Sequence, residues 1–438
     1  MKRRAREVQA RVTSLGARGL GKLELVDPPR QGLELGGVAP GERLTAQLGQ
    51  RRNIWLQQVI EPHPQRQEPP CLHYGVCGGC SLQHLNPQLQ LQLKAERVYR
   101  LFPSDAPLLP ACPTPQAFRY RTKVELSFIE HRDGRSTLGF MRRGCFDRGV
   151  EVRDCLIGPP CLPEAAARTR RWQAEHALRA WNPKSQQGDL RYLVLRQANP
   201  GQDWLGVLVT RPELDPELID DWSRRLIPLN PQGLLWVEQE SSAGAVVPLR
   251  EHLLWGENRL RQSLGPLTFE LGWRSFFQIH PPAYLQMLQQ LQQWMAPLRP
   301  TSLLDLYCGI GSIGLSCAPA EAQLVGVESV PEAIEDARRI SRSLGRRARF
   351  EVARAEDWEE WNHPVVILDP PRSGCHPHLL ERLQQNPPEH LFYISCNPDR
   401  LAAELSSLQS AYRLEALQAF DFFPQTAHVE LLARFRRR

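Results

Sequence analysis

At 438 residues the chain has room for about three domains, which excludes a peptide hormone, a knottin or a lone zinc finger. Hydrophobic residues at 42% and charged residues at 23% are ordinary for a globular protein, and no apolar run of about eighteen residues occurs that could cross a bilayer. The formal charge is +6, and the first sixty residues, with eleven Lys/Arg against five Asp/Glu, account for the whole surplus. So localised an excess predicts a polyanionic partner, with nucleic acid first. Polar residues follow the opening Lys2, Arg3, Arg4 and Arg6, where a secretory signal would need an apolar stretch, so the chain reads as cytoplasmic, with no membrane association. Eleven cysteines then point to thiol or metal chemistry in place of a disulfide framework.

In chain order, β-rich runs at 7–15, 20–26, 42–48 and 54–60 alternate with Gly/Pro turns and predict a small barrel over 1–62. Four prolines within 61–70 predict a linker. The unit from 71 to 270 combines a helix over 87–101 with strands over 120–127 and 190–209, a mixed and β-rich pattern. From 271 to 438 strand and helix alternate: 303–306 then 310–318, 324–328 then 331–344, 365–368 then 376–385, 391–395 then 398–407. That alternation predicts an α/β doubly wound, Rossmann-like sheet, with ligands gathered at the carboxyl ends of its strands.

Cys71-Leu-His-Tyr-Gly-Val-Cys77-Gly-Gly-Cys80 packs three cysteines around two glycines that let the backbone fold tightly about a ligand. Such a set holds an iron–sulfur cluster or zinc, and a fourth thiolate from further along would tie two segments together. Cys112, Cys155 and Cys161 are each candidates by spacing.

Leu303-Leu-Asp305-Leu-Tyr307-Cys-Gly309-Ile-Gly311-Ser-Ile-Gly314 is a G-x-G-x-x-G turn between a strand and a helix, with Glu328 nineteen positions beyond Gly309. The pattern fits NAD or S-adenosylmethionine, and Glu328 would accept from ribose hydroxyls in either. Asp305 favours the second, because a carboxylate repels a pyrophosphate and attracts a sulfonium–amino acid.

Asp369-Pro-Pro-Arg372 closes an apolar strand on a stiff edge, and Arg372 stands where amine methyltransferases carry a stacking aromatic ring. Cys396, in Ser395-Cys-Asn-Pro398, ends another strand just before a helix whose N-terminus would favour the thiolate. Glu430, in His428-Val-Glu430, is an acid in an apolar strand, costly to bury without a job; His428 beside it reads as a packing residue.

Together these segments, with Ser275-Phe-Phe-Gln278, resemble the RNA uracil-C5 methyltransferase family, whose signatures occur here in order along nearly the whole chain. The resemblance implies a TRAM-like RNA-binding domain at 1–62, and a [4Fe-4S] cluster on Cys71, Cys77, Cys80 and Cys155. It further implies S-adenosylmethionine held by Gln278, Tyr307, Glu328 and Asp369, with Cys396 as nucleophile and Glu430 as base. The expected partner is RNA, ribosomal (23S) before transfer RNA, and the expected state a monomer. His280 stands where the family has Asn, and Arg354 where it has an acid near the adenine. An amine methyltransferase and a noncatalytic iron–sulfur RNA-binding protein are the competing readings; both leave Cys396 and Glu430 without a role.

Overall fold

The computed structural model describes residues 6–438 apart from 27–29, 51–52, 104, 132–133, 146–147, 183, 200–202, 242–243 and 245. Lys2, Arg3 and Arg4 of the basic opening, like Arg51 and Arg52, lie outside the described residues.

Strands β1 (Arg6–Leu15), β2 (Gly21–Leu25), β3 (Arg30–Leu35), β4 (Arg43–Leu48) and β5 (Ile54–Glu61) form an antiparallel sheet in the order β3-β2-β1-β4-β5. Alternation along β1 buries Val8, Ala10 and Val12 against Leu23, Leu33 and Leu44, a small core of its own. The outer strands β3 and β5 approach each other, and among the described residues no ladder joins them. β3 escapes the sequence reading because Gly32, at φ +82°, breaks its alternation. The proline-rich 62–70 carries no helix or strand but is docked: Arg66 pairs with fully buried Glu42 at 2.8 Å and donates to the Gly37 carbonyl at 2.9 Å.

Helix α1 (Pro87–Tyr99) follows, then β6 (Lys123–Glu130), β7 (Ser136–Met141), β8 (Gly149–Glu151), α2 (Leu162–Glu175), β9 (Leu190–Gln197), β10 (Trp204–Thr210), α3 (Pro216–Leu226), β11 (Gly233–Glu238) and β12 (Arg250–Gly256). Their strands form a seven-stranded sheet, β12-β11-β10-β9-β6-β7-β8, on which α2 and α3 bury Trp172 and Trp222. The run at 190–209 is two antiparallel strands, because the chain turns at Asn199 (φ +42°). A hairpin of β13 (Arg259–Leu264) and β14 (Leu267–Gly272) leads onward.

The remainder comprises α4 (Pro281–Met295), β15 (Ser302–Leu306), α5 (Ser312–Cys317), β16 (Gln323–Glu328), α6 (Pro331–Ser343), β17 (Ala348–Val352), β18 (Val365–Leu368), α7 (Pro377–Gln385), β19 (His390–Ser395), α8 (Pro398–Leu408), β20 (Tyr412–Phe420) and β21 (Glu430–Arg437). The sheet order is β17-β16-β15-β18-β19-β21-β20, parallel except for β21, which runs antiparallel to both neighbours. Alternate residues of these strands pack against α4, α5 and α6 on one face and α7 and α8 on the other, which is why 365–368 reads as an unbroken apolar run. Val98 and Phe102 join the second face, so α1 and the chain after it pack on this sheet although they lie within 71–270. Strand order reverses between β15 and β18, so the loops after them diverge and leave a crevice at their carboxyl ends. Among the described residues no helix is long and apolar enough to cross a membrane.

Candidate active site

That crevice is a cavity of about 960 Å³ lined by Tyr307, Glu328, Asp369, Cys396 and Glu430, and by Gln278 from the chain between β14 and α4. Every residue expected to hold the cofactor or do chemistry therefore faces one space. The glycine-rich turn forms its floor: Gly311 adopts φ +75° and its absent Cβ would stand 2.7 Å from the Phe350 ring, so no side chain fits. Tyr307 shares the left-handed conformation at φ +62°, as strained residues at ligand clamps often do. Glu328 accepts from the backbone amides of Gly309 (3.3 Å), Ser329 (2.7 Å) and Val330 (3.0 Å). Fully buried Asp305 accepts from the Gly314 amide at 2.9 Å, while its other oxygen has no hydrogen-bond partner. Burial first, then Asp369 and Glu328, lift its pKa to about 7. A concentration of carboxylates this dense suits a cationic ligand.

Cys396, Glu430 and Arg372 form the other end. Glu430 opens β21 and is 1% exposed. Burial, followed by Asp369, holds its carboxyl well above the usual range, and Arg372 opposes them. The thiol expectation needs correcting: Cys396 is pushed up to about 11, by burial and then Glu430, although the hydrogen-bonded Arg372 pulls the other way. Helix α8 does little for it, since Asn397 is the cap residue and its side-chain oxygen accepts from the Arg400 amide at 3.4 Å. The thiolate fraction of a group so raised grows about tenfold per pH unit below its pKa. Alkylation of Cys396 by iodoacetamide, read by peptide mass spectrometry, should therefore rise close to tenfold per unit from about pH 7 to about pH 9. A flat profile over that range would mean that the thiolate is already formed.

Arg372, which the sequence offered only as an argument against amine methylation, thus bears on both reactive groups. Phe276, 71% exposed at the cavity wall beside the buried Phe277, is a lining residue that the sequence reading did not single out. Ser275 fixes that segment by donating to Asp336 at 2.6 Å. The two family departures lie off the cavity lining. His280 caps α4, its Nδ1 facing the Ala283 amide at 3.4 Å, and is buried against Tyr120. Arg354 is exposed and pairs with Glu356. His428, expected as a packing residue, sets its ring edge-on against Phe423 at 6.0 Å, at an exposed position.

A second cavity, about 360 Å³, is lined by Cys71, Cys77, Cys80 and Cys155 together with Gly78, Gly79, Arg121 and Arg143. Cys112 and Cys161 do not line it. The Gly78 amide donates to the Met141 carbonyl at 3.1 Å and the Arg143 amide to Val76 at 2.8 Å, which pins the cysteine loop against the chain after β7. Burial raises the Cys77, Cys80 and Cys155 thiols, Cys80 to about 12, and each is raised further by neighbouring thiols of the set. Among the described residues no three His, Cys, Asp or Glu side chains are disposed to hold a single metal ion.

A family model described as tRNA (uracil-5-)-methyltransferase matches residues 332–437. The tRNA (uracil(54)-C(5))-methyltransferase of Pyrococcus abyssi is 30% identical over 402 residues, 90% of this chain and 94% of that protein. An uncharacterised RNA methyltransferase of Bacillus cereus is 29% identical, covering 93% of each chain. The crystal structure of the Pyrococcus abyssi enzyme, in complex with S-adenosyl-L-homocysteine, superposes with a TM-score of 0.80 at 27% identity, over 98% of this chain and 99% of that one.

Proposed function

The chain belongs to the tRNA (uracil-5-)-methyltransferase family and is an RNA (uracil-C5-)-methyltransferase, and on that premise we propose that it methylates C5 of a uridine through a covalent Cys396 adduct. The observation that carries this reading is the convergence of Cys396 and Glu430 with Gln278, Tyr307, Glu328 and Asp369 on one cavity. S-adenosylmethionine, when bound, supplies an electrophilic methyl group on a sulfonium. The unpartnered oxygen of Asp305 and the carboxylates of Glu328 and Asp369 give that cation a complementary field. Glu328 would accept from its ribose, with Tyr307 beside it, while Gln278 and Asp369 would face both cofactor and uracil.

C5 of uracil is too weak a nucleophile to take a methyl directly. Cys396 adds to C6, with Arg372 drawing the thiol toward thiolate, and the ring becomes an enolate reactive at C5. C5 then takes the methyl, and Glu430 removes the C5 proton, whose bonding pair restores the C5–C6 double bond as the Cys396 bond to C6 breaks. Burial suits a base, because a carboxyl with a raised pKa accepts a proton more readily. The target uridine must leave its stack to reach the cavity, which costs least in a loop or distorted stem.

The four thiols around the smaller cavity fit a [4Fe-4S] cluster. Cys71, Cys77, Cys80 and Cys155 would each supply a thiolate to it, and Gly78 and Gly79 would let the loop fold tightly about it. The thiols repel one another as thiolates, a penalty that a cationic core removes. The 1–62 sheet would act as a TRAM-like domain gripping phosphates, 71–270 as the cluster-bearing unit and 271–438 as the methyltransferase, in a cytoplasmic monomer.

Ribosomal RNA and transfer RNA are the two candidate substrates. The relative from Pyrococcus abyssi, named for uracil 54 of tRNA, favours the second and spans the same parts of the chain, so the sheet and cysteine loop do not single out ribosomal RNA. Nucleoside mass spectrometry of separated 23S and transfer RNA from a deletion strain should show 5-methyluridine lost from one of them. Loss from neither would overturn the proposed reaction.

A further inference from the structure

We infer that Gln425, gripped by Gln90 of α1 and by the chain just after Cys80, positions Glu430 for the last step of the reaction; this rests on Glu430 being the base. β20 ends at Phe420 and β21 begins at Glu430, so 421–429 decides where the carboxylate enters the cavity. Gln425 is fully buried and stands at φ +68°, a conformation that a non-glycine residue keeps only when its neighbours over-determine it. Its carbonyl accepts from the amides of Ser81 (2.9 Å) and Leu82 (3.0 Å), and its own amide donates to Gln90 Oε1 at 2.9 Å. Gln90 Nε2 in turn donates to Gln425 Oε1 at 3.0 Å and to the Leu85 carbonyl at 2.8 Å.

One helical turn on, Lys94 makes a buried ion pair with Asp421 at 2.7 Å and donates to the Phe423 carbonyl at 3.0 Å. The Tyr120 hydroxyl donates to the Pro424 carbonyl at 3.1 Å. Gln90 and Lys94 lie four apart and so share one face of α1, and neither lines the cavity. Apolar residues would fill the same space; directional bonds in such number select one geometry. Ser81 adjoins Cys80, so the conformation of the cysteine loop is transmitted to Gln425 and, five residues later, to Glu430. At that step the C5–H bond breaks toward the Glu430 carboxylate, its electron pair restores the C5–C6 double bond, and the C6–sulfur pair leaves with Cys396. Addition and methyl transfer precede it and do not use Glu430. A misplaced carboxylate therefore stalls only the elimination.

Full-length protein, purified anaerobically, is given total RNA from a deletion strain tritiated at C5 of uridine, with S-adenosylmethionine carrying a carbon-14 methyl. Gln90→Leu and Gln425→Gly are compared with Glu430→Gln; glycine keeps the backbone angle while removing the side chain. Tritium release should slow roughly 100-fold in both clamp variants, a size expected from a misplacement of about 1 Å. Methylated, RNA-linked protein should accumulate on denaturing gels, with KM for S-adenosylmethionine and iron content unchanged. Should Glu430→Gln trap the adduct while the clamp variants release tritium at the wild-type rate, or lose methyl transfer and tritium release equally, this inference falls and the base remains. If Glu430→Gln traps nothing, both fall. Where Gln90→Leu does not fold, Gln425→Gly alone decides between these outcomes.

Discussion

Glu430→Gln should convert the enzyme into one that traps itself on RNA, whereas Cys396→Ala should form no covalent complex. The substitution at 430 keeps the side chain's shape and removes its proton acceptor. Cys396 still adds to C6 and C5 still takes the methyl, so the reaction halts with the methylated base bonded to sulfur. Turnover should fall by about 100-fold or more, the usual worth of a positioned base. The adduct should survive a denaturing gel, require S-adenosylmethionine, and place the methylated base on Cys396 in peptide mass spectrometry. RNA containing 5-fluorouridine should trap the wild type in the same way, because fluorine at C5 cannot leave as a proton. Wild-type turnover by Glu430→Gln would make another residue the base. His428 would then be tested next, since its exposed ring borders Phe423 of the cavity wall.

The sequence disclosed most where a physical rule ties residue type to place. Strands at 303–306, 324–328, 365–368 and 391–395 were readable because burial on both faces leaves apolar runs, and the glycines at 309 and 311 because the turn needs positive φ. β17 and β20 were not, since Arg349, Glu351, Arg413, Glu415 and Gln418 break any apolar run on these outermost strands. For the site, motifs named the six cavity residues but not the balance of forces among them. Cys396 was expected to be a ready thiolate from its place before a helix, a local inference. Its surroundings are set by residues distant in sequence, Arg372 and Glu430, and burial outweighs the helix. Of the departures from the family pattern, His280 stands where the family has Asn and serves here as a helix cap. The grip of Gln90 on Gln425 spans 335 residues of sequence, and no local pattern announces such a pair.

Cys155→Ser should abolish the cluster, whereas Cys112→Ser and Cys161→Ser should leave it intact. Spacing alone could not choose among the three, but only Cys155 lines the cavity shared by Cys71, Cys77 and Cys80. Cys112 serves through its backbone, taking a hydrogen bond from Asp421 and giving one to Ala419 at 2.7 Å, and a serine there keeps both. Cys161 precedes α2 without capping it through its side chain, so its sulfur has no comparable task. Anaerobically purified wild type should be brown, with iron and sulfide each near about four per chain. Both should vanish in Cys155→Ser. Because the cysteine loop adjoins Ser81 and Leu82, which hold Gln425, the loss should also lower the melting temperature and weaken the seat of Glu430. Stoichiometric zinc without sulfide would overturn the cluster, and an intact cluster in Cys155→Ser would return the fourth ligand to Cys112 or Cys161. The metal content decides the matter independently of any assay of methylation.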